Sequence, residues 1–310
     1  MKLVILIPAF NEESTVGKTI LDIPRKIVGV DKVEILVIDD GSSDKTVDFA
    51  LNAGADKIVS HKRNMGVGAA FMTGIRNAIS MDADIVVTID ADSQTSASDI
   101  PALISPILDH QFDVVIGTRF LRNIPSDYPK IKLIGNRMFT RLISYVAGQK
   151  FTDTQTGFRA YSREAISNIS VVSEFTYTQE VLLDLKFKGF RIGDTPITVN
   201  YYRKESKVVK SIFKYTCKSI SIIIKSLVYH RPMMAFGLFG ALLLGGGIMA
   251  KLITISKIIY ITSGLSTGFI ILGVVSFMFG IFANLVFKRQ SFAEKDVRHH
   301  LNELSKHKQP

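Results

Sequence analysis

The chain has 310 residues, with 38 Lys or Arg against 28 Asp or Glu and a net charge of +10. This length predicts one large soluble domain plus a smaller part, and the single cysteine, Cys217, excludes an intramolecular disulfide. The basic charge leaves nucleic acid, an anionic membrane surface and phosphorylated substrates open as partners. The cysteine count agrees with a reduced, cytoplasmic environment for the soluble part.

Strand and helix signals alternate through the first 120 residues. Strands are predicted over the segments 2–10, 33–40, 57–61, 83–92 and 112–119, with a helical pattern between each pair. Such alternation favours a mostly parallel α/β sheet covered by helices on both faces. Ligands of these sheets bind just beyond the carboxyl ends of the strands, which is where the chain carries its polar residues.

The string DADSQ follows the fourth predicted strand and places Asp90, Asp92 and Gln94 at alternate positions. All three offer oxygen ligands, which suit a hard divalent cation such as Mg²⁺ or Mn²⁺. Two carboxylates this close repel each other unless a cation or a proton separates them. A helix N-cap also produces this pattern, but its place at the end of a buried strand predicts a metal site that holds a pyrophosphate.

A second polar string, VIDDGSSDKT, ends the second predicted strand. A carboxylate at Asp39 or Asp40 could accept a hydrogen bond from a base or a ribose hydroxyl, and Gly41 permits a tight turn. The simpler interpretation is a capped turn between strand and helix, with Ser43 or Asp44 as the cap.

The later part of the chain is less regular. A helix is predicted over 133–148, a polar string over 151–165, a helix over 176–189 and a strand over 191–202. Segment 208–229 carries Lys210, Lys214 and Lys218 at four-residue spacing, which is typical of an amphipathic helix in the membrane interface. An ordinary amphipathic helix on the soluble domain is the alternative.

Segments 232–250 and 258–287 contain no charged residue, and each is long enough to cross a bilayer. The alternative, two buried helices of a soluble core, is disfavoured by their length without charge. Basic residues at the outer ends of the pair predict cytoplasmic termini, with a short loop outside. We therefore expect a catalytic domain over 1–207, an amphipathic juxtamembrane region over 208–230, two transmembrane helices over 231–288 and a charged cytoplasmic tail over 289–310.

Six strings in order, PAFNEE, VIDDGSSDKT, NMGVGAA, DADSQ, DTQTGFRAYSREA and QEVLLDLKFKGFRIGDTPITVNYYRKESK, resemble family 2 glycosyltransferases with the GT-A fold. With the two C-terminal hydrophobic segments, the chain is most similar to polyprenyl-phosphate or dolichyl-phosphate mannosyl- and glucosyltransferases. In two departures from the family pattern, Phe10 stands where Tyr is usual and Ser93 where a hydrophobic residue is usual.

The resemblance implies transfer of a sugar from a nucleotide-diphosphate sugar to a lipid phosphate, and it implies a role for each matching residue. Residues implied to bind the nucleotide sugar are Pro8, Phe10, Glu12, Asp39, Asp40, Asp90, Ala91 and Asp92. Those implied to hold Mg²⁺ or Mn²⁺ are Asp90, Asp92 and Gln94. Those implied to bind the acceptor phosphate are Arg137, Arg159, Arg203 and Lys207; for Arg137 and Lys207 the alternative is a solvated charge or contact with anionic lipid headgroups. Asp92, Arg119 and Arg203 are expected to be catalytic, although Arg119 could be a surface residue. Asp153 and Glu180 are expected to orient the cations or to contact sugar hydroxyls, although Glu180 could equally form a structural ion pair.

Other functions remain open at this point. A polysaccharide synthase would carry more membrane helices and a Q-x-x-R-W motif, and the chain has no Trp. A transferase acting on a diacylglycerol-type lipid or a non-catalytic sugar-nucleotide sensor would share the fold. A nucleic-acid partner is disfavoured because the basic charge sits beside the predicted spans. A homo-oligomer is possible, and the sequence does not identify the sugar.

Overall fold

The computed structural model describes residues 1–121, 130–170, 177–199, 231–255 and 263–306, with isolated positions between 221 and 228. The chain divides into two compact units, Met1–Ile222 and Ile223–Pro310. Arg203, Lys207 and almost all of the predicted juxtamembrane helix over 208–229 lie outside the described residues, so the expectations for them stay predictions.

The first unit is built on a seven-stranded sheet in the order β3-β2-β1-β4-β6-β5-β7. The strands are β1 Lys2–Ala9, β2 Lys32–Asp39, β3 Lys57–Ser60, β4 Ile85–Thr88, β5 Val114–Thr118, β6 Arg159–Ser162 and β7 Ile192–Pro196. Strand β6 runs antiparallel between β4 and β5, whereas the other pairings are parallel. The predicted mostly parallel α/β sheet is therefore confirmed.

Seven helices of this unit are described. They are α1 Val16–Leu21, α2 Thr46–Asn52, α3 Val67–Ser80, α4 Ile100–Leu108, α5 Lys130–Ala147, α6 Arg163–Ser167 and α7 Thr178–Phe187. The core consists of the apolar residues of β1, β2, β4 and β5 together with the inner faces of these helices. Burial on both sheet faces explains why these strands read as continuous apolar runs.

The register of the sheet brings the polar strand ends together. Strand β1 pairs with β2 so that Ala9 lies opposite Asp39, and it pairs with β4 so that Leu6 lies opposite Thr88. The residues that follow these strands therefore meet at one edge of the sheet.

One local prediction was wrong, and one strand was not predicted. The sequence predicts a helix over 12–27, but α1 ends at Leu21, because Pro24 disfavours helical backbone in the residue before it. The polar string over 151–165 contains the strand β6, in which Ala160 and Tyr161 are fully buried. A strand of four residues with polar neighbours is too short for the alternation of apolar and polar residues to identify it from sequence.

The second unit consists of two helices, α8 Pro232–Ile255 and α9 Ser263–Lys306. Segments Pro232–Ile253 and Gly264–Val286, with mean hydropathies of 1.9 and 2.4, are long and apolar enough to cross a membrane. The helices pack closely at Gly240, where an added Cβ would lie 2.8 Å from the carbonyl oxygen of Gly273. Helix α9 runs unbroken past residue 288, so the predicted boundary between span and tail is not a break in the helix.

Candidate active site

Two carboxylates, Asp90 and Asp92, follow β4 at the edge of the sheet, and both are partly exposed. The protein that encloses Asp90 raises the pKa of its carboxyl to about 7, and the neighbouring Asp92 and Glu12 add to this rise. Arg119 and Arg159 oppose it. Burial is the larger cause of the rise and the neighbouring negative charge the smaller one, and a cation bound here would offset both.

The turn that carries these carboxylates is held by α1. Ser93 has a left-handed φ of 56°, and the Gln94 backbone N–H donates to Asp92 Oδ1 at 3.0 Å. The buried hydroxyl of Thr19 lies 2.8 Å from Ser93 Oγ and donates to the Ala91 carbonyl at 3.2 Å. Sequence reasoning missed Thr19, although a hydroxyl at Ser93 in place of the family's hydrophobic residue was a signal for a polar partner.

Gly157 approaches Asp90 from the loop before β6. A Cβ added at Gly157 would lie 2.9 Å from Asp90 Oδ1 and 3.1 Å from Oδ2. A side chain at this position would therefore displace the Asp90 carboxylate from its present place. Gly157 therefore fixes one side of the Asp90 position.

Arg159 requires a correction. It was expected to bind an acceptor phosphate, but its side chain is 0% exposed. Its guanidinium donates to the backbone carbonyls of Thr178 at 2.6 Å and Thr154 at 2.8 Å. The prediction of direct phosphate contact is therefore wrong for this structure, because β6 lies inside the sheet. Arg159 instead supplies buried positive charge near Asp90 and lowers the pKa of that carboxyl.

Arg119 directly follows β5 and forms a two-point ion pair with Asp153. Its Nε donates to Oδ2 at 2.6 Å and its Nη2 to Oδ1 at 3.0 Å. The Asp153 side chain is fully buried, whereas that of Arg119 is 21% exposed. Asp153 was expected to orient the acceptor cations Arg137, Arg159, Arg203 or Lys207, but the ion pair that the structure describes for it is with Arg119.

A buried polar network continues from Asp153 into α5. Asn136 donates from Nδ2 to Asp153 Oδ1 at 3.2 Å, and Thr140 donates to Asn136 Oδ1 at 3.1 Å. Thr140 Oγ1 also lies 3.2 Å from the hydroxyl of Thr154. Sequence reasoning did not select these residues, although polar residues four apart at 136 and 140 on a largely apolar helix were a detectable signal.

The predicted nucleoside site lies at the ends of β1 and β2. Phe10 is 39% exposed, so part of this residue is accessible to a ligand. Glu12 is buried and accepts a hydrogen bond from Thr15 Oγ1 at 2.8 Å. Asp39, also buried, accepts from the Ser42 backbone N–H at 3.0 Å. Pro8, near the end of β1, is partly exposed.

Asp40 requires a second correction, because the protein itself uses its carboxylate. Its Oδ1 lies 2.7 Å from His61 Nδ1 and accepts from the Met65 backbone N–H at 2.9 Å. Its Oδ2 accepts from the Gly66 N–H at 2.8 Å, at the start of α3. Asp40 therefore anchors the loop over 61–66, and Asp39 remains the candidate for the nucleoside.

The other predicted residues are more dispersed. Arg137 is exposed on α5, and Glu180 is partly exposed on α7. Asp44 accepts from the Thr46 backbone N–H at 3.0 Å. However, the N-cap residue of α2 is Lys45 and no side chain caps the helix, so the predicted cap at Ser43 or Asp44 is wrong. Arg203 and Lys207 fall outside the described residues.

The candidate metal site fits a cation that is bound together with a ligand. Within the part of the chain that the structure describes, no group of three or more His, Cys, Asp or Glu could hold a metal ion. Asp90, Asp92 and Gln94 offer oxygen atoms but fill only part of a coordination shell. Phosphate oxygens of a substrate would complete such a shell, as is common for Mg²⁺.

Comparison with known proteins agrees with this arrangement. The profile described as "Glycosyl transferase family 2" matches residues 4–170. A UDP-N-acetylglucosamine–dolichyl-phosphate N-acetylglucosaminyltransferase of Methanococcus voltae is 30% identical, covering 64% of this chain and 85% of the relative. A dolichyl-phosphate hexose transferase of Haloferax volcanii is also 30% identical, covering 66% of this chain and 86% of the relative.

Solved structures share the fold. Glucosyl-3-phosphoglycerate synthase from Mycobacterium tuberculosis, in a crystal structure with Mn²⁺, UDP and phosphoglyceric acid, matches with a TM-score of 0.56 at 22% identity. The match covers 73% of this chain and 77% of that one. Since the family profile spans more than half of the chain and includes both the DADSQ turn and the segment with Asp153 and Arg159, the protein belongs to glycosyl transferase family 2.

Proposed function

We propose that this protein is a membrane-bound, inverting glycosyltransferase that moves a hexose from a nucleotide-diphosphate sugar to a polyprenyl or dolichyl phosphate. The observation that carries the proposal is the adjacent pair Asp90 and Asp92 at the ligand edge of an α/β sheet, where burial and then the charge of Asp92 raise the pKa of Asp90 to about 7. Relatives named for transfer to dolichyl phosphate support the lipid phosphate as the acceptor.

On the donor side, Phe10 would stack on the base, while Glu12 and Asp39 would accept hydrogen bonds from the nucleoside. Asp90, Asp92 and Gln94 would hold Mg²⁺ or Mn²⁺. When bound, the cation supplies positive charge to the donor pyrophosphate and to the leaving nucleotide phosphate. GDP-mannose and UDP-glucose are the donors that we propose.

On the acceptor side, a lipid monophosphate already carries an anionic oxygen at neutral pH. Transfer to it needs cations that hold the phosphate and no general base that removes a proton. Arg119 is fixed by Asp153 with part of its side chain exposed, so it can meet a phosphate without losing conformational freedom. Arg137, Arg203 and Lys207 are proposed as further phosphate contacts.

A lipid acceptor gives the two apolar helices α8 and α9 a role. A long-chain lipid phosphate is presented at the surface of a bilayer, and the two apolar helices α8 and α9 are long enough to span one. We propose that they anchor the protein in the cell membrane with the first unit in the cytoplasm. Anchoring reduces the search for the acceptor to two dimensions.

A donor screen tests this function. Purified protein, a short-chain polyprenyl phosphate and Mg²⁺ or Mn²⁺ are incubated with radiolabelled GDP-mannose, UDP-glucose and UDP-N-acetylglucosamine in turn. We expect labelled lipid from one donor, with loss of the product on addition of EDTA and in Asp92→Asn. Asp113→Asn, far from the site along β5 and paired with Arg191, is the matched control and should retain turnover.

Two results would contradict the proposal. Nucleotide binding without labelled lipid from any donor would overturn the lipid-phosphate acceptor. Full turnover in EDTA, with Asp92→Asn as active as the parent, would overturn the role of the metal.

A further inference from the structure

The outer face of α5 carries a row of exposed apolar side chains. Their exposed fractions are 66% for Ile134, 57% for Met138, 39% for Leu142 and 73% for Tyr145. Steps of four, four and three residues place all of them on one side of a helix. We name these four residues the α5 ridge.

The ridge is not part of the domain core. The opposite face of α5 already packs inward, through a separate set of buried residues: Asn136, Phe139, Thr140, Ile143 and Val146. Single exposed apolar residues are ordinary, but a continuous apolar row on an otherwise packed helix marks a surface that meets something apolar.

Charge around the ridge indicates what that partner is. Arg137 and Arg141 are exposed beside the ridge, and the sequence of α5 also contains Lys130 and Lys132 but no Asp or Glu. A helix with an apolar row, flanking cations and no acid matches an anionic bilayer surface, where it lies in the plane of the headgroups.

We propose that the α5 ridge inserts into the boundary between headgroups and acyl chains of an anionic bilayer. Tyr145 suits this depth because its ring is apolar and its hydroxyl is polar. Arg137 and Arg141 would lay their stems along the apolar surface and extend their charge to lipid phosphates. The inference rests on the proposed function, which requires the first unit to work at a membrane.

The geometry of α5 links this contact to the chemistry. Asn136 on the inner face donates to Asp153 Oδ1 at 3.2 Å, and Asp153 holds Arg119. The outer side of α5 would thus contact the bilayer, while its inner side contacts Asp153, the partner of Arg119. Docking of the ridge would set the height of the site above the lipid phosphate.

A second copy of the chain is the competing occupant of the ridge. Pairing two ridges would bring Arg137 and Arg141 of both copies together, and α5 has no acid to neutralise them. Like charges in a desolvated contact are unfavourable, whereas anionic lipid removes the conflict. The bilayer is therefore the occupant that the charges favour.

Spin-label accessibility in the full chain tests the ridge directly. Because Cys217 is the one cysteine, a Cys217→Ser background permits a single nitroxide at Met138→Cys. Leu51→Cys on α2 is the matched control, since Leu51 and Met138 are both 57% exposed. In nanodiscs with anionic lipid, the rates at which the nitroxide collides with oxygen and with a water-soluble nickel chelate are measured. We expect the ratio of the oxygen rate to the chelate rate to be about threefold higher for a label at 138 than for one at 51.

Equal ratios at the two positions would overturn the proposal. Dipolar broadening between labels at 138, present in detergent as well as in nanodiscs, would assign the ridge to a second copy and also overturn it. Neither readout depends on turnover, so a failure of the proposed reaction is distinguishable from a failure of the docking surface.

A functional arm uses Met138→Glu with Leu51→Glu as its control. We expect Met138→Glu to lower transfer to a long-chain acceptor in anionic nanodiscs about tenfold, with unchanged turnover on a short-chain acceptor in detergent. An equal loss on both acceptors would show that the substitution disturbs the site itself and would count against docking. Product from neither acceptor in the parent protein would refute the proposed function alone.

Discussion

Arg119 and Asp153 are joined at two points, from Nε to Oδ2 at 2.6 Å and from Nη2 to Oδ1 at 3.0 Å. Burial acts to raise the pKa of Asp153, but the charge and hydrogen bonds of Arg119, helped by Asn136, hold that pKa below its usual value. Asp153 is therefore an ionised carboxylate inside the domain, and Arg119 is the main group that stabilises its negative charge.

The first prediction compares two arginines with similar geometry and different burial. Arg119→Ala leaves the buried Asp153 carboxylate without its cation, so we expect a loss of about 2–4 kcal/mol in the free energy of unfolding. Arg191→Ala breaks a similar pair with Asp113, in which the Arg191 side chain is 55% exposed, and should cost about 0–1 kcal/mol. Thermal unfolding of both variants in the same detergent measures the difference. Equal losses would show that Asp153 does not depend on Arg119.

The second prediction concerns the contact between Gly157 and Asp90. Gly157→Ala would place a methyl group 2.9 Å from Asp90 Oδ1, so the carboxylate must shift. We expect metal-dependent turnover to fall more than about tenfold, since small displacements of catalytic groups are costly. Gly135→Ala is the control, because an added Cβ there meets nothing within 4 Å. It should leave turnover unchanged and stabilise α5 by about 0.5–1 kcal/mol. Normal turnover in Gly157→Ala would mean that the position of Asp90 is not critical.

Much of this site could be predicted because parallel sheets collect the polar ends of their strands at one edge. That rule placed Phe10, Asp39 and Asp90 together from sequence alone. It could not show which side chains pair, since Asn136 reaches Asp153 across 17 residues and Thr19 reaches Ser93 across 74. Periodicity reports the face on which a residue lies and says nothing about its distant partner.

The errors at Arg159 and Asp40 have a common physical origin. A charged residue in a polar string is normally exposed, so Arg159 was assigned to a ligand. Its burial follows from the insertion of β6 between β4 and β5, which is a property of the whole sheet. Asp40 likewise could not be separated from Asp39 by sequence, because its partners His61 and Met65 come from the loop after β3.

The third prediction concerns the turn that carries the carboxylates. Thr19→Val keeps the shape of the buried side chain but removes the hydroxyl that contacts Ser93 and Ala91. We expect the Mn²⁺ concentration for half-maximal turnover to rise about tenfold, as is common when residues that orient metal ligands are lost. Thr19→Ser retains the hydroxyl and should restore the parent value. A normal metal requirement in Thr19→Val would show that the turn keeps its geometry without this contact.

The fourth prediction follows from the raised pKa of Asp90. In the metal-free folded protein this carboxyl has a pKa of about 7, against an ordinary value of 3.8. Between these two pH values the folded chain binds a proton that the unfolded chain has released, so stability falls as the pH rises. Above the folded pKa the full free-energy cost remains, because a charged carboxylate must then be held in a buried place, beside Asp92 and Glu12.

Asp90→Asn removes the free-energy cost of holding a charged carboxylate at this place in the folded protein. It should also abolish metal-dependent turnover. In EDTA at about pH 8 the variant should be more stable than the parent by roughly 1–3 kcal/mol, a range that allows for the partial exposure of Asp90. The difference should shrink as the pH is lowered from about 7 toward about 4, and Mn²⁺ should stabilise the parent alone. Thermal unfolding across this pH range measures the effect, with Asp22→Asn at an exposed position expected to stay within about 0.5 kcal/mol of the parent. If Asp90→Asn were less stable than the parent in EDTA at high pH, the carboxylate would be a stabilising partner of Arg119 or Arg159, and the crowded-charge basis of the metal site would be wrong.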